Sequence, residues 1–384
     1  MALSARRVRQ LYAWHKWAGL LTGLFIFVIT ISGAIAVFKE EIDLLLTPAR
    51  RVEPASTPPA SLDDILPAVQ RAYTGARIES VNLPRNPHTA YSIFLDDGKQ
   101  RTEVFVNPYS GALTGARTGE TVANVIRQLH VRFYYFGAWG RVVVGVFGLA
   151  LLVSTLTGVL IYGRFMKGVF AQGLRFWQIR TGRGLQVSAS DWHKLIGILA
   201  LAFNLVIAFT GAVLGLENLA RYAPSVSRAL HPQPDQRHPP AATDRMVPLA
   251  QALRRARRAL PGFEPTRLIL PRADKNHFVI YGDNSGRFAR EGASFVVIET
   301  SGGAVLQTHN AAGARAVTYT YNLVEPLHFG NFAGVPLKII YLSFGLASSF
   351  LSVTGFIIWL RKRRRARVAA PSRRREKTSE LQRA

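Results

Sequence analysis

The sequence contains no cysteine and only three methionines among its 384 residues. The absence of cysteine excludes disulfides, thiolate-bound clusters, cysteine-ligated zinc and the covalent attachment of a c-type haem. Any metal centre must therefore be built from histidine, methionine, carboxylates or backbone carbonyls. Acidic residues are also scarce, since 23 Asp and Glu stand against 48 Lys and Arg and leave a formal net charge of +25.

A positive surplus of this size is typical of nucleic-acid-binding proteins, but the apolar residues do not fit that class. They occur in four long blocks without an internal charge, at residues 17–38, 142–162, 195–216 and 339–360. Each block has about the 20 residues that cross a bilayer core as a helix. The sequence therefore predicts a four-span membrane protein in contact with the lipid bilayer, with no nucleic acid as a partner.

The basic residues cluster in three segments that all fall on one side of a four-span chain. They are Arg6, Arg7, Arg9 and Lys16 before the first span, Arg164, Lys167, Arg175, Arg180 and Arg183 after the second, and Arg361, Lys362, Arg363, Arg364, Arg365 and Arg367 after the fourth. Short basic segments stay in the cytoplasm, which predicts that both termini are cytoplasmic. An alternative makes the first block a signal peptide cleaved after Ala36, but its apolar core is longer than usual and three spans follow.

The expected fold is an α-helical membrane protein whose four transmembrane helices form a two-fold internal repeat, with two small external α+β domains. In each external segment a helix-like stretch precedes short alternating strands. The predicted boundaries are a cytoplasmic N-terminus and first span at 1–40, the first external domain at 41–124, an interfacial helix and second span at 125–163, a cytoplasmic loop at 164–190, the third span at 191–217, the second external domain at 218–324, an interfacial segment and fourth span at 325–360, and a basic cytoplasmic tail at 361–384.

Matching motifs carry the repeat. Trp14-His15-Lys16 recurs as Trp192-His193-Lys194, and the same offset of 178 residues brings Ser32-Gly33 onto Thr210-Gly211. Leu129-His130 recurs as Leu327-His328, and the spans that follow share Thr157-Gly158 and Thr354-Gly355. Both copies run in the same direction, which indicates a parallel repeat about an axis normal to the membrane.

Four of the nine histidines lie at repeat-equivalent positions, in two classes of depth. His15 and His193 begin the first and third spans, while His130 and His328 precede the second and fourth. Facing imidazoles can hold a haem iron from both axial sides without cysteine or methionine, so the pairs His15/His193 and His130/His328 are candidate ligands of two b haems. Lys16, Lys194, Arg132 and Arg141 are candidate partners of the propionates.

The alternatives to haem ligation are that the histidines are interfacial residues that cap helix ends, or that they form a proton relay. The other five, His88, His231, His238, His277 and His309, are expected at the surface.

These motifs resemble the PepSY-associated transmembrane helix family. The resemblance rests on residues 11–23 (LYAWHKWAGLLTG), 32–43 (SGAIAVFKEEID) and 129–141, and on 104–115 (VFVNPYSGALTG), which is similar to the final strand and turn of a PepSY domain. Residues 296–307 are a looser version of that turn. Within the family, the length and four-span layout are most similar to siderophore-iron reductases of the ferrioxamine B reductase type.

The resemblance implies an enzyme of the bacterial inner membrane, a di-haem b protein that reduces ferric hydroxamate siderophores on the periplasmic side. It also implies that His15, His193, His130 and His328 are the haem-ligand positions and that the external domains are PepSY-like. Since no phosphate-binding glycine motif is present, the electron donor is expected to be quinol or a separate cytoplasmic reductase. Two other functions stay open: a haem subunit that serves another periplasmic acceptor, and a ligand-binding or transport protein whose histidines move protons.

Overall fold

The structure is a computed structural model that describes residues 4–134, 136–171, 179–230, 232–235, 246–272, 275–284, 290–311, 313 and 316–381. The chain divides into two compact units. We call the first the helical unit; it comprises Met1–Val37, Ile126–Asn218 and Gly334–Ala384. The second, which we call the sheet unit, comprises Phe38–Val125 and Leu219–Ala333. Residues 172–178 of the predicted cytoplasmic loop and residues 382–384 of the predicted tail lie outside the described residues.

In the part of the chain that the structure describes, four helices are long and apolar enough to cross a membrane, which confirms the predicted number of spans. The candidate spans are Ala5–Ala36, Gly140–Ile161, Leu201–Ala220 and Gly334–Arg365. The helices of this unit are α1 (Ala5–Ala36), α4 (Val122–Arg132), which begins in the sheet unit, α5 (Gly140–Ala171), α6 (Leu185–Leu199), α7 (Leu201–Leu216) and α11 (Gly334–Leu381).

The third apolar block is not the single helix that the sequence predicts. Helices α6 and α7 meet at Ala200, whose backbone leaves the helical region at φ −89° and ψ 5°. The amide of Ala200 still donates to the Ile196 carbonyl, and the Ala200 carbonyl accepts from Asn204. The interruption is therefore one residue long, and no proline or glycine at that point announces it in the sequence.

Small residues allow the membrane-length helices to approach closely. A Cβ on Gly148 of α5 would lie 2.9 Å from the Ala212 nitrogen of α7, and a Cβ on Gly345 of α11 would lie 2.7 Å from the Ala34 Cβ of α1. Small residues at such crossings let helix backbones come together where lipid supplies no hydrophobic drive. The two contacts use repeat-equivalent residues. Gly345 follows Gly148 by 197 positions, as Gly355 follows Gly158, and Ala212 follows Ala34 by 178 positions, as His193 follows His15.

The sheet unit contains one continuous antiparallel sheet, and the prediction of two separate small sheets is wrong in this respect. The strand order is β4-β3-β2-β1-β5-β6-β7-β8. The two halves join where β1 pairs with β5, for example Val81 opposite Leu268. The strands are β1 (Arg77–Asn82), β2 (Tyr91–Asp96), β3 (Arg101–Val106), β4 (Leu113–Thr118), β5 (Glu264–Ile269), β6 (His277–Asp283), β7 (Ser294–Glu299) and β8 (Val305–His309).

Two amphipathic helices cover one face of this sheet. Helix α3 (Leu62–Ala72) and helix α9 (Leu249–Ala259) occupy the stretches that the sequence predicts as helices. Their buried side chains, such as Ile65 and Ala256, share one hydrophobic core with the strands of both halves. The unit also contains α2 (Lys39–Leu46), α8 (Pro224–Leu230) and α10 (Ala316–Phe329).

A cluster of ion pairs fixes α2 to the edge of the sheet. The buried carboxylate of Asp43 accepts hydrogen bonds from Arg117 at 2.8 Å and from Arg50. Arg117 also pairs with Glu103 at 2.6 Å. Burial opposes the ionisation of Asp43, but the hydrogen bonds and charges of Arg117 and Arg50 together outweigh it, so the pKa of Asp43 lies below its ordinary value.

Removing the Asp43 charge is expected to destabilise the sheet unit. Loss of one partner of a buried ion pair costs about 3–5 kcal/mol, so Asp43→Asn should lower the unfolding temperature clearly. Because the folded pKa is depressed, this stabilisation is fully present above the unfolded pKa near 3.8 and disappears as the pH falls through the lower folded pKa. Thermal unfolding of the wild type and the variant at several pH values measures both effects.

Glu40→Gln is the matched control, because Glu40 also pairs with Arg50 but its side chain is 63% exposed. An exposed pair contributes about 0–1 kcal/mol. Equal losses of stability in the two variants would contradict the role assigned to Asp43.

Candidate functional site

Two of the predicted histidines meet inside the helical unit. His15 lies on α1 and His193 on α6, and their ring centroids are 6.2 Å apart with the ring planes at 84°. Helix α1 packs on α5 and α11, and α6 packs on α11, so the two rings are half-buried among these four helices. The structure thus brings together the pair that the repeat predicts.

Each ring is held by a hydrogen bond at its own Nδ1 atom. The Nδ1–H of His15 donates to the Ser154 carbonyl on α5 at 2.8 Å, and Nδ1 of His193 lies 2.9 Å from the Thr354 hydroxyl on α11. Among the described residues, no hydrogen bond reaches Nε2 of either ring. The outer hydrogen bond of an imidazole fixes its tautomer, so Nε2 of each ring is left to bind an electrophile.

A glycine makes room for each ring. A Cβ on Gly158 would lie 3.3 Å from Cε1 of His15, and a Cβ on Gly355 would lie 3.4 Å from Cε1 of His193. Contacts of this length are tighter than most real ones, so a larger residue would press on the imidazole. The Thr-Gly motif of each copy therefore contacts the histidine of that same copy.

Open space adjoins both rings on their own helices. Gly19 follows His15 by four residues and Gly197 follows His193 by four, so each glycine lies on the same helix face as its histidine. A Cβ on either glycine would meet no atom closer than 4.0 Å, and one on Gly23 would meet none at all within 4 Å. The helix surface beside each histidine is therefore open at these glycines.

His130 contacts α1 nearer to the C-terminal end of that helix than His15. Its Nδ1–H donates to the Ile29 carbonyl at 2.8 Å. The ring lies over Gly33, where a Cβ would come within 2.6 Å of Cε1. Gly33 of the Ser32-Gly33 motif therefore contacts a histidine, as Gly158 and Gly355 do.

The remaining histidines differ in their surroundings. His328 lies on α10 in the sheet unit, with its ring 6.1 Å from that of Phe329, and its pairing with His130 stays a prediction. His88 is exposed, as predicted, and His309 is half-buried against Phe295. The surface prediction is wrong for His277, which is 3% exposed in β6, because that strand is buried on both faces from His277 to Ile280. His231 and His238 lie outside the described residues.

The four candidate propionate partners have different neighbours. Lys194 lies 3.4 Å from the buried Asp191, which also pairs with Arg180 at 2.8 Å. Lys16 stands 4.4 Å above the Trp17 ring, and Arg141 pairs with Glu217 at 3.6 Å. Nε of Arg132 is buried without a hydrogen-bond partner in the described part of the chain. Arg132 is therefore the candidate that best fits an additional carboxylate.

In the described ranges, no group of three or more histidine, cysteine or carboxylate side chains could hold a bare metal ion. A haem differs in this respect, because its porphyrin supplies four ligands and the protein adds one or two axial ones. Two imidazoles with free Nε2 atoms, beside an open space bordered by glycines, fit such a group.

The sequence interpretation missed the residues that hold the rings. It used the Thr-Gly and Ser-Gly motifs only as markers of the repeat, whereas Thr354, Gly158 and Gly33 contact imidazoles directly. The signal was present, since these motifs recur in the same repeat that carries the histidines. The sequence does not show which helices are neighbours, and the neighbouring helix determines which residues contact each imidazole.

Four membrane-length helices, a facing pair of histidines on α1 and α6, and a separate α+β unit define a multi-pass membrane protein. The chain belongs to the family described as the PepSY-associated TM region, whose match covers residues 12–362.

The chain is also similar to an uncharacterized protein of Pseudomonas aeruginosa. The two sequences are 30% identical over 268 residues, which is 62% of this chain and 64% of the relative. The chain thus spans somewhat less than two thirds of the relative's length.

Proposed function

We propose that the protein is a di-haem b oxidoreductase of the bacterial inner membrane that carries electrons across the bilayer to a ferric siderophore. In this proposal both termini are cytoplasmic and the sheet unit is periplasmic. The basic segments beside the spans support this orientation. The acceptor is a hydroxamate chelate of the ferrioxamine type, as the family resemblance implies.

The observation that carries the proposal is the geometry of His15 and His193. A bond from a metal to an imidazole nitrogen is about 2 Å long, so two imidazoles whose centroids are roughly 6 Å apart could both bind one ion. The 6.2 Å separation of the two rings matches this value. Hydrogen bonds from both Nδ1–H groups hold the rings in one orientation and tautomer and would leave each Nε2 to bind the group.

Haem, when bound, supplies a one-electron redox centre. The residues of this chain would bind it, orient it and exclude water. His15 and His193 would hold the haem of the inner site. Gly19, Gly23 and Gly197 leave the adjoining space open. His130 and His328 are the proposed ligands of the outer site, where His130 is held by the Ile29 carbonyl.

The proposed reaction needs no bond cleavage in the siderophore. The ferric chelate gains one electron and becomes ferrous, and Fe(II) leaves because hard hydroxamate oxygens bind it poorly. Each electron comes from quinol, which also releases protons when it is oxidised, or from a separate cytoplasmic reductase. The arginine and aromatic side chains of the sheet unit, such as Arg101 stacked 4.4 Å from the Phe94 ring, suit a large polar ligand.

An optical spectrum of the purified protein, before and after dithionite, tests the proposal. Sharp reduced α and β bands and a pyridine haemochrome count of two b haems per chain are expected. Added ferrioxamine should then reoxidise the reduced protein, with Fe(II) trapped by a ferrous chelator. A colourless protein after expression with ample haem would overturn the haem assignment and favour the transport function. Haem without reoxidation by ferrioxamine would favour a different periplasmic acceptor.

A further inference from the structure

The two imidazoles of the inner pair are held by different kinds of acceptor. The Nδ1–H of His15 donates to the backbone carbonyl of Ser154 at 2.8 Å, and the Thr157 hydroxyl is more distant at 3.4 Å. For His193 the acceptor with good geometry is the Thr354 hydroxyl, at 2.9 Å. Thr157 and Thr354 occupy the same position of the repeat, yet only Thr354 is the primary partner of its histidine.

The direction of the His193 hydrogen bond follows from counting protons. The Thr354 hydroxyl has one proton, which it donates to the Phe350 carbonyl at 3.0 Å or the Leu351 carbonyl at 3.1 Å. Its oxygen therefore accepts from Nδ1–H of His193. The Thr157 hydroxyl likewise donates to the Val153 carbonyl at 2.6 Å. Both rings are consequently Nδ1–H tautomers. The shortest acceptor of His15 is the Ser154 carbonyl, whereas that of His193 is the Thr354 hydroxyl, with the Leu351 carbonyl also within reach.

We infer that Thr354 is a positioning residue that fixes the tautomer of His193 and tunes its strength as a ligand, whereas Thr157 has no such role for His15. The inference rests on the proposed function. An acceptor on the outer N–H of a metal-bound imidazole makes the ring more basic. Stronger donation favours the ferric state. Loss of the Thr354 oxygen should therefore raise the midpoint potential of the haem that His193 binds.

The repeat provides the matched experiment. In the full-length protein, Thr354→Val removes the acceptor from His193, and Thr157→Val makes the same change where the backbone remains as the acceptor. Thr155→Val is a second control, since the Thr155 hydroxyl donates to Leu151 in the same way and no contact with a histidine is found for it among the described residues. Haem count, a potentiometric titration of each haem and the electron paramagnetic resonance of the ferric protein are measured for each variant.

We expect Thr354→Val to keep both haems, to raise the midpoint potential of one of them and to change its ferric g-values. The two control variants should give the wild-type potentials, and Thr354→Ser, which keeps the oxygen, should restore them. If Thr354→Val fails to assemble, Thr354→Ala supplies a smaller side chain without the oxygen. Nitrogen-15 resonances of labelled histidine in the haem-free chain give a further readout, because they report which ring nitrogen of His193 carries the proton.

The outcomes separate this inference from the proposed function. A wild-type protein without haem would overturn both. Haem in every variant with an unchanged potential in Thr354→Val would overturn only the inference, and would indicate that His193 turns to the nearby Leu351 backbone. A shift in Thr157→Val equal to that in Thr354→Val would also overturn it, because the asymmetry of the two acceptors would then have no effect.

Discussion

Replacing His193 with alanine is expected to halve the haem content of the protein while the outer site keeps its absorbance. His193 and His15 face each other at 6.2 Å, and among the described residues no other histidine contacts either ring. His15→Ala should have the same effect, because both variants remove one axial ligand of the same proposed site. A pyridine haemochrome count and the reduced spectrum measure the loss, and reduction of a periplasmic ferric chelate should fall with it.

His88→Ala is the control for this prediction, since His88 is exposed in the sheet unit and should leave the haem content unchanged. Loss of both haems from His193→Ala, or of neither, would contradict the assignment of one haem to this pair. A different result for His15→Ala and His193→Ala would contradict the pairing itself.

Gly33→Ala is expected to remove the outer haem and to spare the inner one. The added Cβ would lie 2.6 Å from Cε1 of His130 and 2.8 Å from its Nδ1, so the ring has to leave its position beside the Ile29 carbonyl. Forcing extra atoms into a filled site costs about 1–3 kcal/mol, and a displaced imidazole would leave the position proposed for ligation. His130→Ala and His328→Ala should give the same spectrum, if the outer pair is correctly assigned.

Gly23→Ala is the matched control on the same helix. A Cβ there meets nothing within 4 Å, and alanine is favoured over glycine in a helix interior by about 1 kcal/mol. The variant should keep the outer haem and be equally or more stable than the wild type. If Gly33→Ala keeps the wild-type spectrum, then the His130 position does not decide ligation at the outer site.

Local sequence patterns predicted the elements that depend on local physics. The apolar blocks gave the four membrane-length helices, and the alternating residues around Ile93 and Val296 lie in buried strands. The joining of the two sheets was not predictable in this way, because β1 and β5 pair across more than 180 residues and no turn signal links them. The interruption at Ala200 was missed for a related reason, since alanine is itself a strong helix former.

The candidate site was predictable in its histidines but not in their surroundings. The repeated Trp-His-Lys motif predicted that His15 and His193 form a pair, because two equivalent residues in a parallel repeat lie at one depth. The Ser154 carbonyl carries no signal in the sequence, since every residue has one. His277 was misplaced because a lone polar residue at a strand end gives no indication of what covers it.

Helix α1 carries His15 near its start and the Ile29 carbonyl that holds His130 near its end. These two points are 14 residues apart on one uninterrupted helix, which corresponds to about 21 Å at 1.5 Å per residue. The distance between His15 and the Ile29 carbonyl that holds His130 is thus set by the geometry of a single α-helix. Loops and the sheet unit can change in sequence without altering that distance, whereas one inserted residue between His15 and Ile29 would rotate the two sites by roughly 100° relative to each other.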